Sequence, residues 1–159
     1  MKNPLPVTKG QARFFSPGIL FLALICMALP FVSISCGAQD LGTYSGFELL
    51  AGNDVGGEDV SGFFSATLLL ITLAVGIGIA FWKDSKNTLV SLGVIGFGLL
   101  MLITLAFSIS GRVAEANREL GAGIMVESSL RAGWYLVFLL LLLAAAANVY
   151  LMMFFPKED

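Results

Sequence analysis

Four stretches of the chain, about 17–35, 62–82, 88–110 and 132–155, are almost continuously apolar and hold no Asp, Glu, Lys or Arg. A helix needs about 20 mostly apolar residues to cross the hydrocarbon core of a bilayer. Each stretch therefore predicts a transmembrane helix. The pattern reads as one all-α integral membrane domain over 1–159, a bundle of four transmembrane helices arranged as two α-hairpins. The polar remainder forms two long loops, 36–61 and 111–131, and one short turn.

Basic residues orient the bundle, because they concentrate on the cytoplasmic side. The N-terminus (Lys2, Lys9, Arg13), the turn (Lys83, Lys86) and the tail (Lys157) hold six, whereas the two long loops hold only Arg112, Arg118 and Arg131. Both termini are expected inside and both long loops outside. Phe14, Phe15, Trp82 and Phe155 at the inner ends, with Trp134 and Tyr135 at an outer end, fit interfacial belts. Gly18–Ser35 and Gly98–Ser110 both end on Ser-Ile-Ser, a faint echo compatible with duplicated hairpins.

The loops carry local signals. Ser45-Gly46-Phe47-Glu48 fits a capping box, in which the serine and glutamate side chains satisfy each other's free backbone amides. Leu49, Leu50 and Ala51 follow, and Gly52 suits a helix stop. A short interfacial helix capped by Ser45 and Glu48 is expected across the outer mouth. The second loop, 112–120, reads as another short charged helix ended by Gly121-Ala122-Gly123. Pro30 cannot donate to the carbonyl of Cys26, so the first helix is expected to bend there.

Composition narrows the function. Hydrophobic residues make up 57% of the chain and charged residues 13%, against about 25% charged in soluble domains. The surplus apolar surface is expected to face lipid. A net charge of −2 supplies no basic field for nucleic acid. Histidine is absent, which removes the commonest general base and metal ligand. Cys26 and Cys36 do not form a CxxC pair, and ten helical residues would hold them about 15 Å apart, beyond the reach of a disulfide. No catalytic residue, cofactor or metal is expected. Ser33-Ile34-Ser35 before Cys36 faintly resembles a lipoprotein cleavage site, but the preceding stretch is long for a signal peptide. The first span is expected to remain. The acidic run from Asn53 to Asp59 lacks the ligand spacing of an EF-hand, and reads as a solvated turn.

Small residues mark close packing. Gly76 and Gly78 on the second span, Gly93 on the third, and Ala144 with Asn148 on the fourth form candidate seams for helix packing or for a partner. The Ala144–Asn148 face is the favoured docking seam, with packing on the chain's own first or second span as its rival. No intramembrane charge marks an ion path.

Phe31-Val32-Ser33-Ile34-Ser35-Cys36-Gly37 at the outer end of the first span, with Ser45-Gly46-Phe47-Glu48-Leu49-Leu50-Ala51-Gly52 after it, resembles uncharacterised bacterial tetraspan proteins. The larger first loop and smaller second one are similar in layout to claudin-type tetraspans, without their Trp-Gly-Leu-Trp and paired-cysteine signature. The resemblance implies a four-helix fold in a bacterial cytoplasmic membrane and no activity. The function expected is a non-catalytic accessory or scaffold subunit, with lipid and other integral membrane subunits as partners. A respiratory or photosynthetic complex is the assembly considered. The alternative is a small transporter or channel built from two hairpins.

Overall fold

The computed structural model describes residues 9–37, 39–51, 54–55, 58–59, 63–81, 87–120 and 126–154. In chain order the elements are α1 (Lys9–Cys26), β1 (Pro30–Cys36), β2 (Gln39–Ser45), α2 (Glu48–Ala51), β3 (Asp54–Val55), β4 (Glu58–Asp59), α3 (Phe64–Phe81), α4 (Asn87–Leu120), β5 (Val126–Leu130) and α5 (Ala132–Phe154). The four long helices pack in a ring, α1 against α3 and α5, and α4 against the same two. Their buried positions recur at alternating spacings of three and four: Leu20 and Ala23 on α1, continued by Met27 just past its end; Ile95, Gly98, Leu102, Leu105, Ile109 on α4; Val137, Leu141, Ala144, Asn148 on α5. That period keeps one stripe of each helix turned inward. Two helices, over Leu89–Arg118 and Ala132–Met153, are long and apolar enough to cross a membrane. The apolar parts of the other two, Phe15–Cys26 and Phe64–Ile79, are shorter.

The chain is mostly helical but not all-α. A three-stranded antiparallel sheet, in the order β2-β1-β5, joins the two long loops at one end of the bundle. α1 and α4 end there, and α3 and α5 begin there. The sequence pattern carries the first helix to Ser35, but the structure stops it at Cys26. The reason is Pro30. The Cys26 carbonyl, denied a donor four residues on, takes Leu29 N–H at 3.0 Å, after similar short bonds from Met27 to Leu24 and from Ala28 to Ile25. The helix tightens and ends, and the chain leaves as β1. Cys36 accordingly sits at the end of a strand, not on a helix; both cysteines are free thiols.

β1 turns into β2 through a two-residue connection between Cys36 and Gln39, where Gly37 adopts φ 58°, a conformation glycine takes at little cost. The second loop also differs from expectation. Residues 112–120 are not a separate helix; α4 runs unbroken for 34 residues, about 50 Å, and its last turns flank β5. The acidic stretch carries β3 and β4, a two-stranded antiparallel pair matching Asp54 with Asp59 and Val55 with Glu58.

Among the described glycines, the tightest surroundings are those of Gly133, where α5 meets the start of β1. A Cβ on Gly133 would lie 2.6 Å from the Pro30 carbonyl oxygen, 2.8 Å from Phe31 Cδ2 and 3.0 Å from the Leu29 carbonyl oxygen. Only glycine fits. Gly133→Ala should cost about 1–3 kcal/mol, the range for overpacking a core. Gly78→Ala, where a Cβ meets nothing within 4 Å, should be neutral or stabilising by up to about 1 kcal/mol through helix propensity. Thermal melts in detergent check this, and equal losses for both variants would contradict the packing described.

Candidate functional site

Three polar clusters tie the sheet to the bundle. The first sits where β5 enters α5. Ser33 and Ser129 are directly opposed across β1 and β5, with their hydroxyl oxygens 2.8 Å apart. Arg131 Nε donates to Ser33 Oγ at 2.8 Å, and Arg131 N–H donates to the Phe31 carbonyl at 2.8 Å. The Arg131 carbonyl then accepts Trp134 N–H at 3.1 Å and starts α5. One residue thus closes the sheet, holds a buried hydroxyl and opens a helix. Ser33 is 3% exposed, yet its polar neighbours are a hydroxyl and a guanidinium. Ser129 can share a hydrogen bond with it, but neither neighbour is a base that would take its proton away. The arrangement positions backbone and does not activate a nucleophile.

The second cluster seals the free edge of β5. The Asn117 side chain donates to the Val126 carbonyl at 2.8 Å and accepts Val126 N–H at 2.6 Å. A side-chain amide here completes the ladder as a neighbouring strand would. Arg112 adds a cation–π contact, its Cζ 4.3 Å from the centre of the Phe63 ring. Phe63 N–H donates to the Leu49 carbonyl at 2.9 Å, which docks α2 on the start of α3.

The third cluster is the capping box. Ser45 N–H donates to Glu48 Oε2 at 2.6 Å, and Glu48 N–H to Ser45 Oγ at 3.2 Å. The Ser45 backbone bond, and secondarily its side chain, holds the Glu48 carboxyl below its ordinary pKa. Gly52, expected to stop this helix, lies outside the described residues. Gly46, inside the motif, is pressed on the turn that follows α1: a Cβ there would lie 2.9 Å from the Met27 carbonyl oxygen.

The seam residues scatter. Gly76 packs between Leu20 of α1 and Val94 of α4, at 3.1 and 3.3 Å from where its Cβ would be. Gly78 and Gly93 face open space, with nothing within 4 Å of theirs. Ala144 is fully buried, and Asn148 Nδ2 donates to Ser16 Oγ at 2.9 Å and to the Ala144 carbonyl at 2.8 Å. That face meets α1 inside the chain. Sequence reasoning overlooked Ser16, Ser33, Ser91, Asn117, Ser129 and Gly133.

Compared with known protein families, curated proteins and solved structures, the chain matches none.

The cap carries a pH dependence. A carboxylate with a depressed folded pKa contributes stability that is fully present above its unfolded value and is lost as the pH falls through the folded one. Ser45→Ala should remove about 1 kcal/mol of local stability and speed hydrogen exchange over Glu48–Ala51, while Glu48→Gln, which removes the titrating carboxylate, should flatten the acid dependence of that exchange. Exchange unchanged by Ser45→Ala would contradict the cap.

Proposed function

We propose that this chain is a four-span protein of a bacterial cytoplasmic membrane, with both termini inside, acting as a non-catalytic scaffold or accessory subunit among other integral membrane proteins. One observation carries the reading: the polar side chains that the fold brings together are spent on joining its own elements. Ser33, Ser129 and Arg131 join two loops, Asn117 seals a strand edge, and Ser45 with Glu48 caps a helix. What the bundle turns outward is apolar. Phe21, Ile71, Phe107 and Leu139, one from each long helix, are half to three-quarters exposed. Such continuous apolar exposure marks a surface covered by lipid or by another membrane protein.

The short apolar part of α1 is compatible with a crossing. The apolar run continues from Met27 to Val32 as a turn and the first residues of β1. Non-helical backbone at membrane depth must be buried in protein or paired. Phe31 and Val32 are buried, and the Phe31 carbonyl is bonded to Arg131.

Two measurements test the reading. In a Cys26→Ala, Cys36→Ser background, an impermeant thiol reagent added to whole cells should label Asp54→Cys and spare Asp84→Cys; the reverse pattern contradicts the orientation. Purification in mild detergent should retain other membrane chains in fixed proportion, identified by mass spectrometry. A protein that elutes alone and conducts a solute in liposomes would make the scaffold reading wrong.

A further inference from the structure

We infer that Ser16, Ser91 and Asn148 form a hydration site inside the bundle, holding one water molecule between α1, α4 and α5. The starting point is Ser91. It is 5% exposed, and its hydroxyl is the one buried side-chain polar atom among the described residues with no hydrogen-bond partner. Three other helix hydroxyls satisfy themselves locally. Thr72 donates to the Leu68 carbonyl, Thr104 to Leu100 and Ser110 to Ala106, each four residues back. Ser91 has the Asn87 carbonyl at the same spacing and does not use it.

The helix register shows what Ser91 faces. A Cβ on Gly98 of α4 would lie 3.7 Å from Leu141 Cδ2 of α5. The two helices run antiparallel, so seven residues, close to two turns, back along α4 and onward along α5 lead to Ser91 and Asn148 at one level. The same step in the other direction brings Trp134 of α5 to the level of Leu105, and Trp134 Nε1 indeed donates to the nearby Leu102 carbonyl at 3.3 Å. Asn148 is also buried, and its bonds to Ser16 and to the Ala144 carbonyl both come from Nδ2. Its carbonyl oxygen, with two acceptor positions, is the group it offers a further partner.

α1 adds polarity at this level. Ser16 is 5% exposed and precedes Pro17, which lies within the helix. Proline has no N–H, so the Arg13 carbonyl lacks its usual helical donor. Two hydroxyls and an amide oxygen, from three helices, thus share one level of the bundle, with the freed Arg13 carbonyl about a turn along α1. A buried water takes two to four such partners. Water fits better than a direct bond, because it donates and accepts together and spans groups the helices hold at one level without contact. The site stands whether or not the bundle serves as a scaffold.

The test uses the full-length protein in detergent. Nuclear Overhauser transfer from water should reach the Asn148 side-chain amide in the unmodified protein and be lost in Ser91→Ala. That variant should melt about 2–4 °C lower. A higher or unchanged melting temperature would mean that the hydroxyl is unsatisfied, and overturns the proposal. A lower melting temperature without water transfer in the unmodified protein would mean that Ser91 has turned to the Asn87 carbonyl, and overturns it equally.

Discussion

Backbone pairing where the chain leaves the bundle is the constraint from which the rest follows. At Pro30 the first helix loses a donor and its polar backbone has to find partners elsewhere. The partners come from residues about a hundred positions later: β5 pairs with β1 from Val32↔Leu130 to Cys36↔Val126, and Arg131 N–H takes the Phe31 carbonyl. This is possible only because α5 begins against β1 with Gly133, whose missing side chain leaves the Pro30 and Leu29 carbonyls within reach. A proline, a glycine and one arginine amide therefore join the first loop to the second.

That junction organises what surrounds it. Once β1 is the central strand, its two flanks need different treatment, since a bare strand edge invites unwanted pairing. The β5 flank is closed by α4, whose unbroken length brings Asn117 to Val126. The β2 flank runs into the Ser45–Glu48 cap, where a carboxylate consumes the last amide of the strand. Inside the bundle the same economy recurs. Thr72, Thr104 and Ser110 return their hydroxyls to their own helices, and Asn148 bridges to Ser16. Ser91 departs from this pattern, which is why it points to something bound.

The helices and the cap were legible in the sequence, the sheet was not. Unbroken apolar runs and the S-x-x-E spacing are local signals; α3, α5 and α2 follow them closely, and α4 overruns its apolar stretch to Leu120. Ser-Ile-Ser shows where locality fails. At 108–110 it is helical within α4, and at 33–35 the same three residues are the middle of β1. The difference lies in Pro30 upstream and in β5 far downstream, so no window around 33–35 contains it. Length misled as well: a mostly apolar stretch of nineteen residues satisfies a spanning helix even when the last six are strand. The Ala144–Asn148 face was recognisable as close-packing, but composition cannot say whether the neighbour is the same chain. Ser16 decides that, 132 residues away.

The central claim is that the two loops form one sheet in the register Ser33↔Ser129. Directly opposed residues of an antiparallel pair have Cα atoms about 4.5–5.5 Å apart, within the span a disulfide accepts. In a chain freed of its own thiols by Cys26→Ala and Cys36→Ser, Ser33→Cys with Ser129→Cys should oxidise readily, and intact mass spectrometry should show the loss of two hydrogens, reversed by reductant. Ser33→Cys with Glu127→Cys, two residues out of register, should remain reduced under the same conditions. Failure of the first pair to close, or equal closure of both, would contradict the sheet and the junction built on it.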